Sequence, residues 1–291
     1  MLVSEDWKDY RLIDAGDGEK LERWGGYILR RPDPQAIWPR RRDCVIWDKP
    51  DAHYHRSRSG GGAWEFKRKI PKRWRIKYEN LSFYVEPTGF KHTGLFPEQA
   101  VNWHWLIARI KQRPRPFRVL NLFAYTGGAT VAAAYGGAEV CHVDAAKGMV
   151  QRARDNLALS GLSEMPVRFI AEDVIKFVQR EERRGRRYEG IIMDPPSYGR
   201  GPSGEVWKME DRFYELVELC AGVMAPKPDF FLVNSYTTGL APSVLGNMLK
   251  LAVGDRYGGC ILADELGLKA SASDIVLPCG ASGRWERGEN K

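Results

Sequence analysis

The sequence has few cysteines, and no two of them stand at the spacing of a zinc motif. Its five cysteines are spread over 291 residues, at Cys44, Cys141, Cys220, Cys260 and Cys279. The missing C-x-x-C pair argues against a structural zinc site and against a disulfide framework. We therefore expect reduced thiols that are buried as small apolar side chains.

Long apolar runs are missing as well. No stretch reaches the roughly 20 apolar residues that a membrane-spanning helix needs. The first residues, Met1-Leu2-Val3-Ser4-Glu5-Asp6, are acidic and polar, unlike a signal peptide. We expect a soluble cytoplasmic protein without a membrane partner.

Acidic residues are outnumbered by basic ones, and the excess is concentrated in one segment. The formal net charge is +8 and the pI is about 9.2, which favours an anionic partner such as nucleic acid. Between residues 53 and 77, nine lysines and arginines accompany a single acid, Glu65, and several aromatic rings. Cations contact phosphates and rings stack on bases, so this segment predicts RNA contact. The alternative is a solvated strand face with aromatic residues in the core.

The character of the chain changes near residue 90. Before it, short β-like runs alternate with turn residues, at 26–29, 44–47, 74–78 and 81–86. This pattern predicts a small β-rich domain over residues 1–90. From about residue 117, predicted strands (118–122, 138–144, 167–170, 188–193 and 229–234) alternate with predicted helices (130–135, 148–160, 174–184 and 210–224). We predict an α/β domain over residues 91–291 with a Rossmann-like, doubly wound parallel sheet, which binds ligands at the carboxyl ends of its strands.

A glycine loop follows the first of these strands. It reads Asn121-Leu122-Phe123-Ala124-Tyr125-Thr126-Gly127-Gly128-Ala129. The G-x-G-x-x-G spacing that wraps a pyrophosphate is absent, and so is a P-loop lysine. The loop therefore suggests a nucleoside-type ligand without a pyrophosphate, or only a tight turn.

Acidic residues follow the next three strands. Asp144 ends the second strand, where a carboxylate can accept both hydroxyls of a ribose. Asp173 follows the third strand and could accept an adenine amino group, although either residue could instead cap the next helix. Asp194 ends the fourth strand and begins Asp194-Pro195-Pro196-Ser197-Tyr198. The ordered set is more specific than any one member.

These residues resemble a known family. The motifs are Lys91-His92-Thr93-Gly94-Leu95-Phe96-Pro97-Glu98-Gln99, the glycine loop, Asp144, Glu172-Asp173-Val174, Asp194-Pro195-Pro196-Ser197-Tyr198, Glu265-Leu266-Gly267-Leu268 and Leu277-Pro278-Cys279-Gly280. From about residue 88 onward, the chain resembles class I S-adenosylmethionine-dependent methyltransferases. It looks closest to the bacterial 23S ribosomal RNA methyltransferases that make 5-methylcytosine or 7-methylguanine. The resemblance implies a seven-stranded sheet ending in an antiparallel hairpin, which the runs 259–264 and 273–277 fit.

The resemblance also implies the residues that bind S-adenosylmethionine. The glycine loop would hold its methionine part, Asp144 its ribose and Asp173 its adenine, and the segment 93–99 would lie across it. The implied cofactor-binding residues are Thr93, Phe96, Gln99, Asn121, Phe123, Ala124, Tyr125, Thr126, Gly127, Asp144, Ala145, Asp173 and Asp194. The first domain does not resemble the RNA-binding domain of some members of this branch.

The acceptor atom is suggested by the absence of cysteine at the strand ends. Methylation of a pyrimidine C5 needs a cysteine that adds at C6, and neither the fourth nor the fifth strand end carries one. A nitrogen acceptor needs less: the Asp194 carboxylate and the Pro195 carbonyl can accept its hydrogen bonds, and Tyr198 can stack on the base. We expect these three residues to be catalytic, with no metal involved.

The function predicted from the sequence is methylation of a base nitrogen in ribosomal or other RNA. Cytosine-C5 methylation with Cys279 as nucleophile is one alternative. A non-catalytic RNA-binding protein on a methyltransferase fold is another, although such a protein would be expected to have lost its strand-end acids.

Overall fold

The computed structural model describes residues 1–4, 6–57, 61–89, 91–200, 206–237 and 239–288. Arg58 and Gly60 of the basic segment, and Thr238 after the fifth predicted strand, lie outside the described residues. The chain forms two compact units: a larger one of Met1, Asn102–Leu266 and Gly280–Lys291, and a smaller one of Leu2–Val101 and Gly267–Cys279. Among the described residues, no helix combines the length and apolar character of a membrane span.

The smaller unit is built from short strands. Its strands are β1 Leu2–Val3, β2 Tyr10–Gly16, β3 Glu19–Trp24, β4 Tyr27–Pro32, β5 Ala52–Arg56, β6 Gly62–Phe66, β7 Trp74–Tyr78 and β8 Leu81–Val85. Strands β2 to β6 form one sheet in chain order, in which only the β4–β5 pair is parallel. Strands β7 and β8 form a separate antiparallel pair. The β-rich character predicted for this part of the chain is confirmed.

One predicted strand of this unit is wrong. The run 44–47 is part of a 3-10 helix, Val45–Asp48. The reason is tertiary, because the Trp47 side chain is fully buried and its indole N–H donates to the Asp14 carboxylate at 2.8 Å. A buried tryptophan with a satisfied N–H outweighs the weak β-propensity of a short run.

The larger unit contains the predicted doubly wound sheet. Its strands are β9 Arg118–Leu122, β10 Glu139–Asp144, β11 Val167–Ala171, β12 Gly190–Met193, β13 Tyr198–Arg200, β14 Val206–Lys208, β15 Phe230–Ser235, β16 Cys260–Lys269 and β17 Val276–Glu286. The helices are α1 Ala100–Lys111, α2 Gly128–Tyr135, α3 Lys147–Leu159, α4 Val174–Arg183, α5 Met209–Gly222, α6 Pro242–Leu249 and α7 Asp255–Tyr257, with a π-helical turn at Lys250–Gly254. A 3-10 turn at Pro97–Gln99, which belongs to the smaller unit, precedes α1 in the chain. The sheet has eight strands in the order β1-β16-β17-β15-β12-β9-β10-β11, so β1 is added to the seven expected strands at one edge.

The order of the strands determines where a ligand can bind. The chain runs from β9 outward through β10 to β11, and then returns to the other side of β9 with β12 and β15. These five strands are parallel. The topological switch point therefore lies at β9, between the loops that follow β9 and β12.

The final hairpin is longer than predicted, and its second strand was placed wrongly. The predicted strand 273–277 is β17, Val276–Glu286, which pairs antiparallel with β15 from Ala281 to Glu286. The run Leu277-Pro278-Cys279-Gly280 looks like a strand end, but glycine permits close approach of the neighbouring strand. A Cβ at Gly280 would lie 2.7 Å from the Ser235 carbonyl oxygen, and one at Gly283 would lie 3.2 Å from Val233.

The core strands are buried on both faces, which gives a direct test of the sheet. Leu120 on β9 is fully buried, whereas Leu251 is 59% exposed. We expect Leu120→Ala to lower the free energy of unfolding by about 2–5 kcal/mol, and the control Leu251→Ala to change it by less than about 0.5 kcal/mol. Urea denaturation followed by circular dichroism measures both. Equal effects of the two substitutions would contradict the assigned core.

Candidate cofactor and acceptor site

The loop after β9 has an unusual backbone. Phe123, Tyr125 and Gly127 all have positive φ, at 53°, 48° and 84°. Left-handed conformations are costly for non-glycine residues and cluster at functional sites, where surrounding contacts maintain them. Here the Ala124 N–H donates to the Val143 carbonyl of β10 at 3.1 Å, and the Gly127 N–H donates to the Ala124 carbonyl at 2.9 Å.

The two glycines of the loop allow it to pack tightly on its neighbours. A Cβ at Gly127 would lie 2.8 Å from the Cβ of Ala153 on α3, and one at Gly128 would lie 2.7 Å from the ring of Trp103 on α1. Asn156, which also lies on α3, donates its amide N–H to the Thr126 carbonyl at 2.8 Å. The loop is therefore supported by two helices, and its glycines are needed for space as well as for φ.

Asp144 holds the loop at its tip. Its Oδ2 accepts the Tyr125 N–H at 2.8 Å, and its Oδ1 accepts the Ala146 N–H at 2.8 Å. Burial raises the pKa of Asp144, while these two backbone hydrogen bonds lower it. A carboxylate oxygen has more than one lone-pair site, so both oxygens retain the capacity to accept a ligand hydroxyl. The next residue, Ala145, is exposed.

A buried polar network lies below the loop, and the sequence did not reveal it. Asn121 on β9 donates its amide N–H to Thr130 Oγ1 at 2.9 Å, and that oxygen lies 2.9 Å from His142 Nδ1. Burial lowers the pKa of His142 to about 3, so its ring is neutral. The Asn121 side chain thus supports the loop from within, and its contact with a cofactor remains a prediction.

Asp173 has a structural role that the sequence analysis named as the alternative. Its Oδ1 accepts the Lys176 N–H at 2.9 Å, which caps the N-terminus of α4. The preceding residue, Glu172, forms an ion pair with Arg180. The cap is observed, while the adenine contact of Asp173 remains a prediction.

The segment after β12 adopts a hairpin. Strands β13 and β14 pair antiparallel, with Tyr198 opposite Lys208. The Trp207 indole N–H donates to the Pro196 carbonyl at 2.6 Å, and the Met209 N–H donates to the Ser197 carbonyl at 3.1 Å. These bonds to the returning strand hold the proline-containing segment in place.

The hairpin connects the ends of three strands. The Trp207 ring lies 5.9 Å from the Phe123 ring of the glycine loop, measured between centroids. At the end of β15, the Thr237 hydroxyl donates to Ser197 Oγ at 2.7 Å. Asp194 is half-buried, Pro195 is buried and Tyr198 is 51% exposed. The structure therefore brings the glycine loop and the predicted acceptor residues to one edge of the sheet, with Trp207 between them.

Three predicted cofactor residues, Thr93, Phe96 and Gln99, belong to the smaller unit. Thr93 and Gln99 are buried, and the Gln99 N–H donates to the Phe96 carbonyl at 3.1 Å. The Phe96 ring lies 5.6 Å from that of His92. Their contact with the cofactor remains a prediction.

The glycine loop can be tested without any ligand. We expect Gly127→Ala to lower the free energy of unfolding by more than about 1 kcal/mol, because alanine is strained at this φ and its Cβ meets Ala153. Gly148 on α3 has open space around it, so the control Gly148→Ala should raise the value by up to about 1 kcal/mol. Denaturant titration compares them, and an unaffected Gly127→Ala variant would contradict the loop geometry.

Comparisons with known proteins agree with this geometry. The chain is 37% identical to the S-adenosylmethionine-dependent methyltransferase from Agrobacterium tumefaciens. The two structures superpose with a TM-score of 0.93, and the match covers 99% of this chain and 93% of the other. It is 39% identical over 219 residues to ribosomal RNA large subunit methyltransferase I of Klebsiella pneumoniae, covering 68% of this chain and 53% of the relative. It is 31% identical over 247 residues to ribosomal RNA large subunit methyltransferase K/L of Shewanella frigidimarina, covering 78% and 34% respectively.

This chain spans about one third to one half of the lengths of those two curated relatives. The profile of the S-adenosylmethionine-dependent methyltransferase family matches residues 51–227. That match begins earlier than the motifs near residue 88 and includes strands β5 to β8 of the smaller unit. The resemblance stated from the motifs is confirmed. The chain belongs to the S-adenosylmethionine-dependent methyltransferase family.

Proposed function

We propose that this protein methylates a base nitrogen of RNA, with the cofactor held at the carboxyl ends of β9, β10 and β11. Asp144 accepts the ribose hydroxyls, the 123–127 loop surrounds the methionine part and Asp173 faces the adenine. Support comes from the left-handed turn of the 123–127 loop at the switch point, and from the fixed orientation of the Asp144 carboxylate. Thr93, Phe96 and Gln99 complete the cofactor site in this proposal.

The acceptor base lies at the end of β12 in this proposal. The cofactor supplies an electrophilic methyl group on a sulfonium sulfur. The Asp194 carboxylate and the Pro195 carbonyl accept hydrogen bonds from the acceptor and orient its lone pair toward the methyl group. The exposed ring of Tyr198 stacks on the base, a contact that contributes about 1–3 kcal/mol in single-strand binding. The Trp207 bond to Pro196 keeps this arrangement from relaxing.

The burial and the positions of the cysteines favour nitrogen over carbon as the methyl acceptor. Burial raises the pKa of Cys141 to about 11, and it also raises the pKa of Cys220 and Cys279, which disfavours the thiolate that a nucleophile needs. Cys260 is exposed, but it begins β16 next to Gly259, which lies against Glu286. Glu286 pairs with Phe230, the first residue of β15, so Cys260 lies at the amino end of that strand, away from the carboxyl ends.

RNA as the substrate is supported by charge and by the relatives. The two curated relatives are named as ribosomal RNA methyltransferases, and the net charge of +8 favours a polyanion. In the smaller unit, the exposed Phe66 ring stacks on Trp64 with centroids 6.3 Å apart, next to Lys67. We propose that residues 1–90 contact RNA and that residues 91–291 carry the methyltransferase chemistry, in the cytoplasm where ribosomal RNA is located.

The role of Asp144 predicts a loss of cofactor affinity. Asp144→Asn places an amide where two N–H groups already donate, and it removes a charged acceptor for the ribose. A hydrogen bond to a charged group contributes about 1.5–3 kcal/mol, so we expect S-adenosylhomocysteine to bind about 10- to 150-fold more weakly. Calorimetric titration measures this, with Asp211→Asn on α5 as a surface control. Unchanged affinity in a folded Asp144→Asn variant would rule out the ribose contact.

The acceptor assignment predicts opposite outcomes for two variants. Transfer of a labelled methyl group to ribosomal RNA, followed by nucleoside chromatography, identifies the modified atom. We expect Asp194→Asn to lower kcat about 100-fold through loss of orientation, and Cys279→Ala to leave kcat and the product unchanged. Complete loss of activity in a folded Cys279→Ala variant, or 5-methylcytosine as the product, would overturn the nitrogen assignment.

A further inference from the structure

Two histidines and two glutamates converge on one face of the five-stranded sheet of the smaller unit. Strand β5 alternates in burial, with Ala52 and Tyr54 facing the core and His53 and His55 on the outer face. Glu65 on β6 is the direct cross-strand partner of His53, so all three side chains share that face. A His-x-His pair on a strand is a compact way to present two imidazoles on one side of a sheet.

The ligand atoms of these residues lie close together. One nitrogen of each histidine and one carboxylate oxygen of Glu65 fall within 4.8 Å of one another. His55 Nε2 is 2.8 Å from Glu65 Oε2, and the two imidazole rings have centroids 3.9 Å apart. Tetrahedral zinc with ligands at about 2.0–2.1 Å needs ligand atoms roughly 3.3 Å apart. His55 and Glu65 are exposed, so their side chains can rotate toward that spacing.

A second carboxylate, that of Glu19 on β3, contacts His53 of the cluster. Glu19 Oε1 lies 2.6 Å from His53 Nε2, and its other oxygen, Oε2, accepts from Arg30 Nε at 2.8 Å. His53 and Glu19 are mostly buried, with side chains 13% and 18% exposed. One half of the cluster is therefore fixed by packing and by Arg30, and the other half is exposed to solvent.

We propose that His53, His55 and Glu65 bind a divalent transition-metal ion, Zn²⁺ by its preference for this ligand set, with Glu19 as the fourth ligand. Two imidazoles with carboxylates form a borderline, N- and O-rich ligand set that suits zinc better than calcium or magnesium. The two carboxylates neutralise the charge of the ion. This offsets its repulsion from two nearby cations, Arg30 close to Glu19 and Lys67 close to Glu65. A bound ion would link β3, β5 and β6 across the sheet.

The test is a zinc titration of the full chain after chelator treatment. We expect Zn²⁺ to bind by calorimetry, and Co²⁺ in its place to give the visible absorption of a tetrahedral site. His55→Ala and Glu65→Gln should each lower the Zn²⁺ affinity. The decrease should exceed the roughly 10- to 100-fold loss that follows removal of an outer hydrogen-bond partner. His104→Ala, an exposed histidine on α1, serves as the matched control and should leave Zn²⁺ affinity unchanged.

Two results would overturn the proposal. One is absence of Zn²⁺ binding to the wild type, which would leave the cluster as ordinary histidine–carboxylate hydrogen bonds. The other is equal Zn²⁺ affinity in wild type, His55→Ala and Glu65→Gln, which would place the ion elsewhere. Both substituted side chains are more than half exposed, so the variants should keep the wild-type circular dichroism. The proposal does not depend on the methyl acceptor.

Discussion

The carboxylate of Asp144 is the constraint on which the rest of the site depends. It joins the end of β10 to the loop after β9 by accepting the Tyr125 N–H, and to the start of α3 by accepting the Ala146 N–H. Tyr125 and Phe123 lie in a left-handed conformation that costs on the order of 1 kcal/mol or more per residue. Charge-assisted hydrogen bonds that backbone N–H groups donate to this half-buried carboxylate offset that cost. The same two hydrogen bonds thus shape the loop after β9 and fix the orientation of the Asp144 carboxylate.

The topology places the acceptor chemistry beside this loop. Strand β12 lies next to β9 because the chain returns to the other side of β9 after β11, so Asp194 follows the strand that flanks the glycine loop. The β13–β14 hairpin then returns Trp207 to the Pro196 carbonyl and to the Phe123 ring. The proposed cofactor and acceptor residues are connected through aromatic and backbone contacts at one edge of the sheet. This shared edge is what a direct methyl transfer requires.

The repeating parts of this structure could be predicted, and the particular contacts could not. Strands such as β12 are buried on both faces, and the apolar run between Gly190 and Asp194 marks this strand in the sequence. The strand ends, and therefore Asp144, Asp173 and Asp194, follow from that pattern. The cap made by Asp173 was foreseen only as an alternative, because a carboxylate before a helix suits a cap as well as a ligand. The 3-10 turn at Trp47 and the hairpin at Trp207 are held by particular tertiary contacts, among them one indole hydrogen bond each, which no periodicity encodes.

The central claim is that this site methylates a nitrogen of an RNA base. Its most direct test is a modification map of ribosomal RNA, by mass spectrometry, from cells that lack this protein. The account predicts the loss of one methyl group on a base nitrogen at a defined nucleotide, restored by the wild-type protein and not by a variant without the Asp194 carboxylate. An unchanged map, or the loss of a 5-methylcytosine, would contradict it.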